Sequence, residues 1–263
     1  MKIVSIVSSC RRNGNTGRIA GLIEKRLLSA ADRANLPLEI ERIALGHLDI
    51  GICQGCRVCF DKGEERCPLK DDLLSVREKI RQADGILAAS PVYVEDVNGA
   101  MKNWIDRMAF ICHRPEFAGK VAYIVTTSGA GSSKHAVNTM KTAFNTWGIK
   151  ISGQSRFRTG DLMTVEEMEA KHGRAISKAA DDLFKAIRDS SPFKPSFYSL
   201  VAYRVQKRYW KRTQKYRNTV DYQYWKDKGW LEDASNYYIP HGAGLPKVKL
   251  AQWISRIVMI FLR

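Results

Sequence analysis

The chain has 263 residues, of which 44% are hydrophobic, 27% charged and 10% aromatic. This composition excludes a disordered chain, a collagen and a polytopic membrane protein, and the length allows a core that needs no disulfide staples. Lys and Arg number 43 against 27 acids, a net charge of +16, and residues 190–263 alone carry 14 basic and 4 acidic side chains with 15 of the 25 aromatics.

The predicted elements follow in chain order. Residues 2–8 form a short strand rich in Ile and Val, and 16–34 a helix with Ile19, Leu22, Ile23 and Leu27 on one face. A second strand is predicted at 38–44, a helix at 71–82 and a buried strand at 85–90 that stops at Pro91. Then come a helix at 98–108, a strand at 120–127, a helix at 134–147, a strand at 150–157 and a long helix at 165–188. Five strands alternating with helices predict an α/β fold, a doubly wound five-stranded parallel sheet with right-handed crossovers. The chain divides near Ser190-Ser191-Pro192 into this domain, 1–190, and a mostly helical, basic, aromatic C-terminal extension, 191–263. The first apolar run is too short for a signal-peptide core, and no run of 18 apolar residues exists. A cytoplasmic protein with reduced cysteines is the expectation.

In such sheets ligands bind beyond the carboxyl ends of the strands, at the topological switch point. That directs attention to loops 8–16, 90–98 and 127–133, all rich in Gly, Ser, Thr, Asn or Pro. Loop 8–16 reads Ser8-Ser9-Cys10-Arg11-Arg12-Asn13-Gly14-Asn15-Thr16 and opens a helix. Hydroxyls, free N–H groups and an arginine at a helix N-terminus suit a phosphate. It is neither a Walker loop nor a Gly-x-Gly-x-x-Gly turn. Plain helix capping by Asn15 or Thr16 is the competing reading.

Taken together, the three loops resemble those of the flavodoxin-like NAD(P)H-dependent FMN reductase family and, more narrowly, of the iron–sulfur flavoproteins. Ser9-x-Arg11-x-x-Gly14-Asn15-Thr16 is similar to the family's phosphate loop, although Cys10 stands where the family often has Pro. Ser90-Pro91-Val92-Tyr93 with Asn98-Gly99-x-Met101-Lys102-Asn103-Trp104-x-Asp106-Arg107 resembles its flavin loop and following helix. Thr127-Ser128-Gly129-Ala130-Gly131 resembles its third flavin loop, and the resemblance covers about residues 1–188. It implies FMN as cofactor, with Ser9, Arg11, Gly14, Asn15 and Thr16 around the phosphate. Pro91, Val92 and Tyr93, with Asn98 in the same loop, would run along the isoalloxazine ring. Thr127, Ser128, Gly129 and Gly131 would meet its polar edge, where glycine lets N–H donors come close. The resemblance also implies a homodimer or homotetramer, with NAD(P)H as a possible donor. It requires no catalytic acid or base.

Four of the six cysteines fall within 15 residues, as Cys53-x-x-Cys56-x-x-Cys59 and Cys67-Pro68. Thiolates at this spacing favour a [4Fe–4S] cluster, and the pattern resembles the compact motif of the iron–sulfur flavoproteins. Zinc also takes four thiolates, and a site holding no metal is the third reading. Asp71 and Asp72 read as first-turn helix acids, His135 as a surface residue at a helix start, and Cys112 as a small buried apolar residue.

The extension holds a predicted helix at 197–217 and a last one at 248–263. Its basic and aromatic residues allow three readings. It packs on the body or a partner subunit, it contacts an anionic membrane surface through the last helix, or it binds single-stranded nucleic acid, the least supported of the three. The whole reads as an FMN-dependent oxidoreductase or electron-transfer protein relaying electrons between FMN and a [4Fe–4S] cluster, with a redox partner protein or small molecule as acceptor. The alternatives are an NAD(P)H-dependent flavin, quinone or nitro reductase without a cluster, and a non-catalytic flavodoxin-like binding protein with structural zinc.

Overall fold

The computed structural model describes residues 1–261. In chain order the elements are β1 (Lys2–Val7), α1 (Asn15–Arg33), β2 (Glu39–Ala44), α2 (Val58–Asp61), α3 (Leu73–Gln82), β3 (Gly85–Tyr93), β4 (Asp96–Val97), α4 (Gly99–Arg107) and α5 (Phe110–His113). They continue with β5 (Val121–Ser128), α6 (Lys134–Thr146), β6 (Lys150–Arg158), α7 (Val165–Arg188), α8 (Phe197–Arg212), α9 (Val220–Asp227) and α10 (Leu245–Phe261).

β1, β3 and β5 are almost continuous apolar runs and are buried nearly throughout, as central parallel strands with both faces covered must be. The parallel order is β2-β1-β3-β5-β6, a doubly wound sheet whose order reverses between β1 and β3. One face packs Ile3, Val7, Leu87 and Val125 against α1 and α7. The other packs Val4, Ile6, Ile86 and Ile124 against α3, α4 and α6.

The sheet has a sixth strand that the sequence pattern does not show. β3 runs on through Pro91 to Tyr93 and folds back as the two-residue β4, pairing Val92 with Val97 and Tyr93 with Asp96. Pro91 is tolerated because β1 pairs with β3 only as far as Ala89, so the missing N–H has no partner to lose on that side. The hairpin turns on Val94 and Glu95, both at positive φ (50° and 64°), an unusual conformation for these residues and especially for a β-branched one. α3 starts at Leu73, two residues later than expected, and α8 stops at Arg212 rather than 217. α10 starts at Leu245, and the last two residues of the predicted helix, 262–263, lie outside the described residues.

The extension packs against the body. Leu200, Tyr203, Trp210, Trp225, Trp230 and Tyr238 form a core of its own between α8, α9 and α10. Tyr203 stacks on Trp225 with ring centroids 5.5 Å apart. Trp225 Nε1 donates to the His113 carbonyl at 2.6 Å, and Gln206 Nε2 to the Cys112 carbonyl at 2.7 Å. Among the described residues, no helix is long and apolar enough to cross a membrane.

Candidate functional site

A cleft opens at the carboxyl ends of β1, β3 and β5. It is lined by Ser9, Arg11, Gly14, Asn15 and Thr16 from the first loop, Pro91, Val92 and Tyr93 from the second, and Thr127, Ser128 and Gly129 from the third. α1 begins here on Gly14, which offers no side-chain cap, and its first turn carries no acid. The uncapped N–H groups and the helix dipole therefore face the cleft with positive potential. A Cβ on Gly14 would stand 3.0 Å from Arg11 Cβ and 3.3 Å from Ser9 Oγ, so the turn is tight. Gly46 backs the loop from below, since a Cβ there would stand 2.7 Å from the Ser8 and Ser9 carbonyl oxygens.

Buried hydroxyls join the loops. Thr16 Oγ1 and Thr127 Oγ1 are 2.7 Å apart. Ser9 Oγ accepts from the Arg11 N–H at 3.1 Å. Asn98 caps α4 by accepting from the Met101 N–H, accepts from Ser8 Oγ at 2.7 Å and donates to the Ser8 carbonyl at 2.7 Å. It is thus a strut beneath the first two loops rather than part of the cleft lining. Ser128 Oγ is buried without a hydrogen-bond partner at the cleft wall. An uncapped helix start, a tight glycine turn and an unpaired buried hydroxyl suit a phosphate and a polar ring edge, so the residues present fit FMN.

Gly131 is exposed and lies off the lining, and His135 is exposed one turn further on. Of the two acids in the hairpin, Asp96 accepts from Thr139 Oγ1 at 2.9 Å, while Glu95 is part of the turn. Sequence reasoning missed the wall made by Thr159, Gly160, Asp161 and Leu162, in the loop after β6. Asn15 holds that wall, donating to the Asp161 carbonyl at 2.8 Å and accepting from the Met163 N–H at 3.0 Å. The available signal was position: this loop too leaves the carboxyl end of a parallel strand.

The four clustered cysteines line a second, more apolar cavity with Arg57, Phe60, Leu69, Leu73, Arg107 and Phe110. Cys53 and Cys56 are exposed, Cys59 and Cys67 partly buried. Burial pushes the Cys59 thiol up to about 11; Arg114 opposes this, and Cys53 and Cys67 add to it. Ligation there would therefore release a proton. Arg107 directs Nη2 toward Cys67 Sγ at 3.9 Å and pairs with Asp71 at 2.5 Å, with both side chains at most 6% exposed. Burial alone would raise the Asp71 pKa; Arg107 and the N–H groups of Gly51 and Leu73 outweigh it and hold the carboxyl below its ordinary value. Asp71 is therefore a buried anchor of the cysteine loop rather than a first-turn acid of α3.

Behind the loop, the Arg114 guanidinium donates to the Cys59 carbonyl at 3.1 Å from both terminal nitrogens and pairs with Glu64 and Asp221. His113 Nδ1 also lies 2.5 Å from Asp221 Oδ2. The extension, through α9, thereby anchors the wall of the cysteine cavity. Cys112 lies away from the cavity, against the sheet core, and burial pushes its thiol up to about 11.

An uncapped helix start and a polar-edged cleft at the switch point of a doubly wound parallel sheet define a flavodoxin-like α/β protein. The NADPH-dependent FMN reductase family matches residues 1–158, and the chain belongs to that family. It is a flavin-dependent oxidoreductase. It is also similar to proteins named iron–sulfur flavoprotein. One from Archaeoglobus fulgidus is 29% identical over 234 residues, which cover 88% of this chain and 100% of the relative. One from Methanosarcina thermophila is 26% identical, over 70% of this chain and 93% of its own. The first match is longer than residues 1–190, so it takes in part of the extension. A quinone reductase from Escherichia coli is 30% identical over 49% of this chain and 60% of its own. Among solved structures, RosB with bound 8-demethyl-8-formylriboflavin-5′-phosphate superposes with a TM-score of 0.57 at 16% identity, covering 72% of this chain and 79% of that one. An oxidoreductase from Corynebacterium diphtheriae gives 0.54 at 17% identity, covering 73% and 99%. At these identities the superpositions establish the fold.

Proposed function

We propose that this protein binds FMN in the cleft and a [4Fe–4S] cluster on Cys53, Cys56, Cys59 and Cys67, and that electrons pass between the two. The observation that carries the cluster is that all four thiols line one cavity. Among the described residues, no three His, Cys, Asp or Glu side chains converge closely enough for a single metal ion. A Cys-x-x-Cys-x-x-Cys run with a fourth thiol on the same cavity supplies the four thiolates a [4Fe–4S] cluster takes, with zinc as the competing occupant that a count of iron and zinc separates. The relatives named iron–sulfur flavoprotein support the same reading.

Bound in these places, FMN would supply two-electron chemistry and the cluster one-electron chemistry. The chain supplies position and electrostatics. Arg11 and the start of α1 hold negative charge, and Ser128 Oγ is free to hydrogen-bond the ring edge. Arg107 sets a buried positive charge beside Cys67, and Phe60, Leu73 and Phe110 keep water from the inner cavity wall. α4 links the two sites: Asn98 at its start braces the first two cleft loops, and Arg107 at its end faces the cysteines. Its nine residues span about 13 Å.

The family's description supports NADPH as donor. Tyr93, Val94 and Leu162 leave an apolar rim exposed around the cleft, which supports a homo-oligomer in which a second copy covers it. Clustered thiols of this kind are kept reduced in a cytoplasm. The test is an absorption spectrum of anaerobically purified protein with iron, zinc and flavin counted per chain. About four irons and one FMN are expected, with a broad visible shoulder under the flavin bands. One FMN without iron after anaerobic reconstitution would leave a reductase without a cluster. Zinc in a colourless protein would overturn both parts.

A further inference from the structure

α10 buries Ala251, Ser255 and Met259 and turns an apolar stripe outward. Leu250, Trp253, Ile257, Ile260 and Phe261 are 49%, 58%, 36%, 61% and 82% exposed. Spaced at three and four residues, they share one helix face. α10 contains no acidic residue, and Lys249 and Arg256 border the stripe. From α8, Arg208 reaches across to donate to Ser255 Oγ at 3.1 Å. That contact sets Arg208 against the residue next to Arg256; burial first, then the positive charges of Arg256 and Arg212, lower its pKa. Among the described residues, none of Arg208, Arg212, Arg256 and Lys249 pairs with an acid, whereas Lys211 beside them pairs with Asp233.

We propose that this face docks on an anionic lipid bilayer surface, with the stripe in the headgroup region and the arginine cluster on the lipid phosphates. Charge complementarity and the apolar stripe must be met by the same occupant, and an anionic bilayer meets both. Nucleic acid would answer the arginines but offers no apolar phase to Ile257 and Ile260. A symmetric second copy would bring the arginine cluster toward its own equivalent, like charge facing like. With 17 residues, α10 is about 26 Å long and suits lying in the interface. The proposal is independent of which metal the cysteines hold.

The test is sedimentation of the full chain with phosphatidylcholine vesicles and with vesicles containing phosphatidylglycerol, read also by tryptophan emission. Binding is expected to the anionic vesicles alone, with a blue-shifted emission and release at high salt. Arg212→Gln and Arg256→Gln, both at exposed positions, should each weaken it about fivefold. Trp253→Ala should weaken it tenfold or more and remove most of the blue shift. Equal binding to neutral vesicles, no binding, or binding that neither kind of variant changes would overturn the proposal. So would failure to bind vesicles combined with an arginine-dependent shift of a single-stranded oligonucleotide, which gives the face to nucleic acid. A Trp253-dependent rise in molecular mass without vesicle binding gives it to a second copy.

Discussion

Ser128 shows how a single buried atom can separate a binding role from a folding role. Its Oγ is desolvated at the cleft wall and has no partner. A buried hydroxyl in that state costs about 1–3 kcal/mol until a partner reaches it. Ser128→Ala should therefore leave the FMN-free protein equally or more stable in chemical denaturation, while weakening FMN about tenfold in a fluorescence titration. Reduced stability of the FMN-free protein would mean that the hydroxyl already serves the fold. The rest of the cleft divides in the same way. Ser9, Arg11, Gly14 and Thr16 were legible because a loop of small and polar residues opening a helix has few purposes. Asn15 stood in the same motif, but its amide spends both ends on a loop 146 residues away. Local pattern shows that a side chain is special, not which partner it meets.

The longer elements of the body were legible because each carries its own period, a continuous apolar run for a buried parallel strand and a repeating face for a helix, whereas the four-residue α2 and α5 were not. The β4 hairpin was not, since two residues carry no period and a proline advertises an end. Two of the extension's helices were visible but not their destination, and the short α9 between them was not read as a helix at all. α9 is eight residues long and reaches the cysteine loop through Asp221, which is 1% exposed. Arg114 joins that carboxylate to Glu64 and to the Cys59 carbonyl, residues between 50 and 107 positions away in sequence. Removing one partner of a buried ion pair costs about 3–5 kcal/mol because the other is left uncompensated. Asp221→Ala should lower stability by about that amount. It should also raise hydrogen exchange across residues 53–67 and, in protein carrying the proposed cluster, speed the loss of iron to a chelator. Asp221→Asn, which keeps a hydrogen-bond acceptor, should recover part of both. If exchange rises in α9 but not in 53–67, the extension covers the cavity without holding it.

At the scale of the whole molecule, body and extension are stabilised by different chemistry and should part at different pH. The cores on either face of the sheet are largely aliphatic, whereas the extension's core is built of Trp and Tyr with their hydroxyls inside. Burial, the leading cause in each case, pushes Tyr224 and Tyr237 up to about 12 and Tyr238 well above its ordinary value of 10.0. A tyrosine whose pKa is raised by folding contributes stability that is complete below pH 10 and is lost as the pH rises toward its folded value. Lys207 works in the opposite direction. Burial, then Lys211 and Arg204, lower it from 10.5 to about 8, so the unfolded chain holds the extra proton and stability rises with pH between those values. The extension should thus be most stable near pH 10 and unfold before about pH 12. Tyrosinate absorbance should then appear cooperatively, in step with loss of exchange protection in α8 to α10, while the strands of the sheet stay protected. Tyr237→Phe sharpens the test because its two effects have opposite signs. It should cost about 1 kcal/mol at neutral pH, since Ser199 Oγ loses its partner at 2.5 Å. It should also move the alkaline transition upward, since one buried group no longer ionises. Tyrosines that titrate gradually near pH 10 with the extension still protected would show that these hydroxyls reach water in the folded chain.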